Sequence, residues 1–270
     1  MPRIALLLEY SGKNFHGSQF QGGVRTVQHE LEKAVSVLAK VETRVHMSGR
    51  TDTGVNAGGQ VAHFDFPFAG PDDQLGQDLD LHQMAWSLNG ILPRDISVVD
   101  LQVVPETFHA RYSATKRQYV YRILNRSQRS ALLKDTHLHV RQPLSLKPMQ
   151  DGASRLLGQH DFSAFRSSTT SNANPSCLIY RAELLNLREG ELEFWIAADH
   201  FVYNMVRIIV GTLLEIGLGK RDAESVSQAL EKRDRELAGP NAPPWGLTLD
   251  SVHYPEAFRL WEQKFQEILK

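Results

Sequence analysis

The sequence predicts an α+β protein built around an extended, largely antiparallel sheet, with two halves that repeat a strand–helix–loop–strand–helix plan. Three observations support this fold class. Short apolar or alternating runs, such as residues 3–10 and 60–66, predict strands. Longer stretches with apolar residues at helical spacing, such as residues 27–40, predict helices between the strands. No short-period repeat or low-complexity tract interrupts the pattern.

The first half begins with a strand at residues 3–10, which leads through a glycine-rich connection to a helix at 27–40 with Thr26 as its N-cap. A strand at 60–66 and a helix at 81–90 follow. The second half is expected to contain, in order, a strand at 118–124, a helix at 146–157, strands at 178–187 and 192–198, helices at 201–217 and 222–233, a strand at 247–254 and a short C-terminal helix.

A chain of 270 residues is long enough for one large domain or two small ones, and we expect two. We place the boundary near Pro105, which gives an N-terminal α+β domain of residues 1–106 and a C-terminal α+β domain of residues 107–270. Residues 166–177 form a polar loop, and we expect this loop to move.

The composition is that of a soluble globular protein, with 41% apolar and 23% charged residues. The first residues predict a strand rather than a signal peptide, and the most apolar stretch, 201–218, is too short and too polar for a membrane span. The single cysteine, Cys177, excludes an internal disulfide and any cysteine-based zinc site, and it suits a reducing cytoplasm. The sequence contains no HExxH or comparable metal-ligand cluster, no Walker loop and no dinucleotide fingerprint, so we expect the close pair His137 and His139 to have a structural or surface role.

Charge is segregated along the chain although the net charge is only −1. Residues 107–134 contain seven arginines and lysines and no acid, whereas residues 72–80 contain four aspartates and no base. On a strand at 118–124, Tyr119 and Tyr121 point the same way, with Arg117 beside them. This pattern fits an exposed strand with solvated charges, and it also fits a surface for unpaired RNA bases and phosphates.

The stretch GRTDTGVNAG, residues 49–58, places Asp52 in a glycine-flanked loop. Three interpretations are open: a plain polar turn, half of an aspartic-protease dyad, or a carboxylate with other chemistry. The triplet Asp52-Thr53-Gly54 matches the protease pattern, but a homodimer would have to supply the second carboxylate. Protease triplets also follow an apolar strand, and here Arg50 and its neighbours precede the triplet.

Arg207 lies within HFVYNMVRIIVGTLLEIG, a predicted helix that is apolar nearly all round. A buried guanidinium without a partner is costly, so Arg207 should pair with a carboxylate, emerge into a cleft, or reach solvent at the helix edge. Pairing with Asp52 would hold that carboxylate ionised and oriented.

Seven stretches spread over most of the chain carry specific motifs. They are EYSGKNFHGSQ (9–19), GRTDTGVNAGGQVAHF (49–64), LNGILPRDISV (88–98), FHARYSATKRQYVYRI (108–123), LLGQHDFSAF (156–165), FVYNMVRIIVGTLLEIGLGK (201–220) and APPWGLTL (242–249). The GRTDxGV loop and the FxxxMVRxxVG helix, in this order and separation, are the most specific. On these residues the chain resembles the TruA family, tRNA pseudouridine synthase I.

The resemblance implies that Asp52 is the catalytic aspartate and Arg207 its ion-pair partner. Tyr119 would stack on the target uracil and assist proton transfer at C5, and Arg50 would contact RNA and help hold the target nucleotide out of the stack. The family fold has two α+β domains around an extended sheet with a central cleft. Its members are homodimers whose basic clefts hold tRNA, and they modify uridines at positions 38, 39 and 40 of the anticodon stem-loop without a metal or organic cofactor.

Such an enzyme breaks the N1–C1′ bond of uridine, rotates the base and joins C5 to C1′. A carboxylate can attack C1′, attack C6, or remove a proton to give a glycal, and the sequence leaves these three routes open. The target base must leave the stack, which accounts for aromatic and cationic groups around the aspartate. A competing class is a tRNA-folding chaperone on the same scaffold that has lost catalysis.

The chain departs from the family pattern at several positions. Ser11 stands where the family usually has Asp, Ser18 where it usually has Trp, and Asn56 where His is common. The stretch NPSCLIYR, residues 174–181, replaces an SPVRT-like segment. None of these positions is Asp52, Tyr119 or Arg207. We therefore expect the departures to affect how RNA is bound and which substrates are accepted, and not the reaction itself.

Overall fold

The structure, a computed structural model, describes residues 1–67, 80–167, 174–188, 190–258 and 260–261. The strands within these residues are β1 Arg3–Tyr10, β2 His46–Met47, β3 Asn56–Asp65, β4 Ile96–Val104, β5 Lys116–Asn125, β6 Leu138–Val140, β7 Gly158–Asp161, β8 Ser176–Arg188, β9 Glu191–Ala198 and β10 Leu247–His253. The α-helices are α1 Val27–Ala39, α2 Leu81–Ile91, α3 Leu146–Ser154, α4 Met205–Gly217 and α5 Glu224–Lys232. Among the helices of the described residues, none combines the length and apolar character that a membrane span requires.

The chain divides into two compact units. The first consists of Met1–Thr53, Ala57–Thr115 and Ser251–Lys270, and the second of Gly54–Asn56 and Lys116–Asp250. These packing units divide the chain later than the boundary predicted between residues 106 and 107, because residues 107–115 pack with the first unit. The domains 1–106 and 107–270 stay a prediction.

The first unit is organised around β1, in the strand order β4-β1-β3 with β2 paired to β3. β1 is antiparallel to both neighbours, and Leu6 lies opposite Ala62 on β3 and Leu101 on β4. Residues Ile4 to Leu8 are all buried, so both faces of this strand are covered. Burial on both faces explains why β1 is a continuous apolar run rather than an alternating one.

The two α-helices that the structure describes in the first unit each begin at a residue whose side chain caps the helix. The Thr26 hydroxyl accepts a hydrogen bond from the His29 N–H at 3.3 Å, and this confirms the predicted start of α1. The Asp80 carboxylate accepts a hydrogen bond from the Gln83 N–H at 2.9 Å and begins α2.

The second unit has the strand order β10-β5-β9-β8-β7, with β6 parallel to β5. β5, β9 and β8 are antiparallel neighbours, and Tyr119 on β5 lies opposite Ile196 on β9. α4 is buried along most of its length, and a side chain at Gly211 would collide with the Pro240 carbonyl. Because no β-carbon fits there, Gly211 lets the backbone around Pro240 lie directly against the helix. The α+β fold class and the largely antiparallel pairing are confirmed.

The structure corrects several element boundaries. α4 begins at Met205 rather than at residue 201, because Asn204 adopts a left-handed conformation with φ of 62° and interrupts the helix there. β3 begins at Asn56 rather than at residue 60. β4, at the edge of the first unit's strand order, was not predicted at all.

Three predicted features fall wholly or partly outside the described residues. They are the acidic stretch 72–80, of which only Asp80 is described, the polar loop 166–177, of which residues 168–173 are not described, and the C-terminal helix.

Three histidine rings cluster where β2, β3 and the segment after Phe108 meet. His46 stacks on His63 at 5.0 Å between ring centroids, and the His109 ring lies 4.6 Å from His63 on another side. The Ala110 N–H donates to Nδ1 of His63 at 3.1 Å, which fixes the proton of the neutral ring on Nε2. Burial lowers the pKa of His63 to about 3, and positive charge on His109 and His46 adds to this effect.

We expect the protein to lose stability as the pH falls from ~6.5 toward ~3, because the unfolded chain then binds a proton that the folded His63 rejects. The contribution of this residue to the slope approaches ~1.4 kcal/mol per pH unit. Urea unfolding at a series of pH values measures it. A His63→Gln variant should show a shallower acid limb, and His82→Gln, which removes an exposed histidine on α2, should keep the original slope. An unchanged slope in His63→Gln would contradict the assignment.

Candidate active site

Ser18, which is distant in the sequence, forms hydrogen bonds with the backbone immediately before Asp52. The Thr51 N–H donates to the Ser18 hydroxyl at 2.8 Å, and the Ser18 N–H donates to the Thr51 carbonyl at 3.1 Å. Both residues are buried, with exposures of 1% for Ser18 and 6% for Thr51. Asp52 follows directly and is half-buried, so its carboxylate extends from a fixed point.

A buried network of hydroxyl and amide groups forms further hydrogen bonds with the same loop and with the residues just before it. The Tyr10 hydroxyl and the Thr51 hydroxyl are hydrogen-bonded at 2.8 Å. The Gln60 side-chain amide donates to the Gly49 carbonyl at 3.1 Å, and its oxygen accepts from the Ser48 hydroxyl at 2.5 Å. Burial raises the pKa of Tyr10 to about 12, so its hydroxyl stays neutral and keeps its proton for hydrogen bonding.

Gly17 allows the turn that carries Ser18 to approach the loop. Its φ is +87°, and a β-carbon at this position would lie 2.8 Å from the Thr51 carbonyl oxygen. Any side chain would therefore be both strained and too close to the loop backbone. The short distance between Gly17 and Thr51 brings Ser18 within reach of the two peptide groups that flank Thr51.

The two charged candidates on this loop differ in exposure. Asp52 is half-buried, whereas Arg50 is exposed and makes no hydrogen bond or ion pair with any residue the structure describes. An exposed cation two residues before a recessed carboxylate can contact a polyanion while the carboxylate contacts a smaller group.

Tyr119 and Tyr121 occupy different environments although both lie on β5. Tyr119 is 8% exposed, and its ring meets Phe201 edge-on at 5.2 Å with an interplanar angle of 89°. Tyr121 is fully buried, and its hydroxyl donates to the Pro243 carbonyl at 2.8 Å. Burial raises the pKa of Tyr121, whose ring also packs closely on Gly246. Tyr121 is therefore a core residue rather than a second stacking platform.

Arg207 lies in the first turn of α4 and is half-buried. Its Nε donates to the Ala242 carbonyl at 2.8 Å, and its Nη1 donates to the Asn204 side-chain oxygen at 3.0 Å. The Ala242 N–H in turn donates to the Arg207 carbonyl at 3.0 Å. These bonds orient the guanidinium.

Arg50 and Asp52 belong to the first unit, and Tyr119 and Arg207 to the second. The pairing of Asp52 with Arg207 stays a prediction.

The basic stretch 107–134 is partly used for structure. Arg122 forms an ion pair with Glu193 at 2.9 Å, and the Arg117 guanidinium donates to the Asp199 carbonyl at 2.8 Å. Other cations of the stretch are exposed, namely Arg111, Arg126, Arg129 and Lys134. The stretch therefore combines sheet-stabilising arginines with cations that solvent or a polyanion can reach.

Comparison with known proteins decides the family. A family described as tRNA pseudouridine synthase matches residues 153–255. A protein of Halalkalibacterium halodurans named tRNA pseudouridine synthase A is 46% identical over 92% of this chain and 90% of its own length. Proteins with the same name from Methylococcus capsulatus and Bacillus subtilis are 43% and 39% identical over 96% and 93% of this chain and 92% and 99% of their own lengths.

The chain belongs to the tRNA pseudouridine synthase A family. Pseudouridine synthases are isomerases, and the family predicted from the motifs is confirmed. Family membership also removes support from the aspartic-protease interpretation of Asp52-Thr53-Gly54. Among solved structures, a chain of the archaeal box H/ACA sRNP Nop10–Cbf5 complex is similar at a TM-score of 0.35 and 10% identity, over 88% of this chain and 59% of that one.

The departures from the family pattern have distinct structural roles in this chain. Ser18 holds the Asp52 loop through its hydroxyl. The Asn56 side chain donates to the Trp245 carbonyl at 3.0 Å within the second unit. Ser11 is exposed, and its backbone N–H donates to the Asp95 carbonyl at 3.0 Å. Of these three side chains, the one at position 18 acts directly on the candidate site.

The supporting residues Tyr10, Ser18, Thr51 and Gln60 were not predicted from the sequence. A signal was present, because Gln60 begins the apolar run of β3 and Tyr10 ends the apolar run of β1. Polar groups at core positions need partners, so their coincidence with the GRTDTG loop could have been used.

Replacing Ser18 with Ala should lower the free energy of unfolding by ~1–3 kcal/mol, because the buried Thr51 N–H loses its acceptor. Urea denaturation of the purified variant measures this change. Ser11→Ala is the matched control, since that serine is exposed and makes no side-chain cap bond, and its stability should stay within ~0.5 kcal/mol. Equal stabilities for the two variants would contradict the role assigned to Ser18.

Proposed function

We propose that this chain converts uridines at positions 38, 39 and 40 of the tRNA anticodon stem-loop to pseudouridine, with Asp52 as the catalytic carboxylate. The observation that carries this proposal is the construction of the Asp52 loop. The Ser18 hydroxyl accepts from the Thr51 N–H, the Ser18 N–H donates to the Thr51 carbonyl, and a half-buried carboxylate follows immediately. Similarity to proteins named tRNA pseudouridine synthase A supports the reaction and the substrate class.

The reaction exchanges one glycosidic bond for another within a single nucleotide. The N1–C1′ bond breaks, the base rotates, the C5–C1′ bond forms, C5 loses its hydrogen as a proton and N1 takes up a proton. Asp52 acts either as a nucleophile at C1′ or C6 or as the base that removes a proton to give a glycal. All three routes need an ionised carboxylate next to a base that has left the stack.

In this proposal Arg207 pairs with Asp52 and keeps its carboxylate charged in a site from which the substrate excludes water. An unpaired carboxylate would have a raised pKa there and would be a weaker nucleophile or base. The bonds of the guanidinium to Ala242 and Asn204 support this role, because they orient it before substrate binds.

Tyr119 and Arg50 are proposed to hold the flipped nucleotide. The recessed ring of Tyr119, supported on its edge by Phe201, suits stacking on one uracil rather than on a run of bases. The exposed Arg50 suits a phosphate of the displaced backbone. We further propose that the protein is a homodimer in the cytoplasm, that it holds tRNA in a basic cleft, and that the reaction uses no metal or organic cofactor.

Asp52→Asn should abolish tritium release from tRNA labelled at uridine C5, by at least about 10³-fold, because the amide is neither nucleophile nor base. The assay contains no added metal or nucleotide, and filter binding should give a tRNA affinity within about threefold of the original, since the substitution keeps the shape of the side chain and removes no cation that contacts a phosphate. Asp151→Asn, which removes an exposed carboxylate on α3, is the control and should keep full activity.

Substantial turnover by Asp52→Asn would refute the catalytic assignment. Binding without tritium release by the unaltered protein would favour the chaperone interpretation instead.

Arg207→Ala should lower both activity and stability, the latter by ~1–3 kcal/mol, because the Ala242 carbonyl and the Asn204 side chain lose their donor. If Arg207 pairs with Asp52, part of this loss disappears in the Asp52→Asn background, and a double-mutant cycle gives a coupling of ~0.5–3 kcal/mol. Arg188→Ala, at a largely exposed arginine, is the control and should change stability by less than ~0.5 kcal/mol. Additive effects in the cycle would argue against the pair.

A further inference from the structure

A second cluster of reactive side chains lies in the second unit, where β8 begins and β9 ends. Cys177 is the second residue of β8, and Asp199 and His200 follow β9 directly. The Cys177 sulfur lies 3.4 Å from Nε2 of His200, and Nδ1 of His200 lies 3.1 Å from Oδ1 of Asp199. One potential ligand atom from each of the three residues lies within 4.8 Å of the other two.

These distances suit coordination of one metal ion. Zinc binds sulfur at about 2.3 Å and imidazole nitrogen at about 2.0–2.1 Å, so two such ligands of a tetrahedral ion lie roughly 3.5 Å apart. The separation of 3.4 Å between the Cys177 sulfur and His200 Nε2 agrees with this value. A carboxylate at the other nitrogen is the usual partner that orients a metal-binding histidine.

The hydrogen bonds around His200 also leave a place for a cation. A neutral imidazole has one N–H, and the Asp199 carboxylate at Nδ1 is its strongest acceptor. Nε2 then carries a lone pair, with the Cys177 sulfur 3.4 Å away and the Asn174 carbonyl oxygen, which is itself an acceptor, 3.1 Å away. The thiol is a weak donor to this nitrogen, whereas a metal ion accepts the lone pair and binds the sulfur as well.

We propose that Cys177 and His200 bind one divalent transition-metal ion, with Zn²⁺ as the expected occupant, and that Asp199 orients the His200 ring through Nδ1. A thiolate and an imidazole select zinc-like ions over Mg²⁺ and Ca²⁺, which prefer oxygen ligands. From the sequence we expected no cysteine-based zinc site, because the chain has one cysteine and ligands of other types were not included. The structure adds a histidine and an aspartate from the neighbouring strand end.

The proposed site is rigid and accessible. Asp199 Oδ1 accepts hydrogen bonds from the backbone N–H groups of Leu178 at 3.0 Å and His200 at 2.7 Å, which fixes the carboxylate before an ion arrives. The side chains of His200 and Asp199 are 37% and 36% exposed, so an ion can reach them from solvent, whereas Cys177 is fully buried. The Asp199 carboxylate and the His200 ring are therefore held in place before an ion binds, and the Cys177 sulfur is shielded from water.

Binding replaces the thiol proton with the metal. The S–H bond of Cys177 breaks, the metal–sulfur bond forms and one proton passes to solvent. Because binding releases this proton, the metal affinity should increase with pH. Phe201 follows His200 and packs on Tyr119, so a bound ion would tie the start of β8 to the turn that supports Tyr119. The inference does not rest on the proposed function.

Titration of the full-length protein with Co²⁺ tests the proposal, after treatment with EDTA and without a polyhistidine tag. Since the chain has one cysteine, a thiolate-to-cobalt charge-transfer band reports on Cys177 alone. We expect this band, with the visible bands of tetrahedral Co²⁺, to saturate at one equivalent and to disappear when Zn²⁺ is added. The apparent affinity should rise as the pH is raised.

Cys177→Ser should abolish the charge-transfer band, and His200→Gln, at a half-exposed position that the fold tolerates, should weaken binding at least about tenfold. His160→Gln is the matched control, because His160 lies opposite Cys177 on β7 while its Nε2 bonds to the Leu157 carbonyl. That variant should bind Co²⁺ as the unaltered protein does. The absence of a thiolate band, its persistence in Cys177→Ser, or equal binding by His200→Gln would overturn the proposal.

Discussion

The hydrogen bonds between Ser18 and Thr51 are the constraint on which the candidate site depends. One residue binds both peptide groups that flank Thr51, so the loop can neither shift nor rotate without breaking two buried bonds. Those bonds require a close approach that only glycine at position 17 permits. Catalytic groups must be held within about 0.5 Å of their productive position, and a flexible glycine-flanked loop could not do so alone. The loop sequence provides the carboxylate, and distant polar residues provide its rigidity.

The second unit uses one segment of backbone, residues 239–243, for a comparable purpose. The Gly239 N–H donates to the Thr212 hydroxyl on α4 at 2.7 Å, and the Ala242 carbonyl binds the Arg207 guanidinium. The Pro243 carbonyl receives the Tyr121 hydroxyl. This segment thus connects α4 with β5, the two elements that carry Arg207 and Tyr119. A change in the packing of residues 239–243 would therefore affect both Arg207 and Tyr119, although these two residues are far apart in the sequence.

The sequence predicted those parts of the protein that depend on local periodicity and on specific motifs. β1, α1 and its Thr26 cap follow from apolar spacing and capping chemistry, and the structure has them where they were expected. The start of α4 was wrong, because the apolar residues before Met205 continue the helical pattern while the left-handed Asn204 interrupts it. Asp52, Arg50, Tyr119 and Arg207 came from motifs, but their support depends on contacts between residues far apart in the chain. Pairs such as Ser18 with Thr51, or Cys177 with His200, have no local signature.

Electrostatics limits how the proposed tRNA substrate can be bound. A chain with a net charge of −1 has no overall attraction for a polyanion, so affinity must come from local groups of cations. Within the basic stretch, Arg122 is neutralised by Glu193 and Arg117 is bound to a backbone carbonyl, and both lie on β5. The exposed cations after β5, together with Arg50 on the other unit, remain for phosphates. In the proposed function the strand would therefore serve mainly to place Tyr119 and the flanking segments would bind the backbone of the RNA, so that separate parts of the same stretch would carry base recognition and phosphate binding.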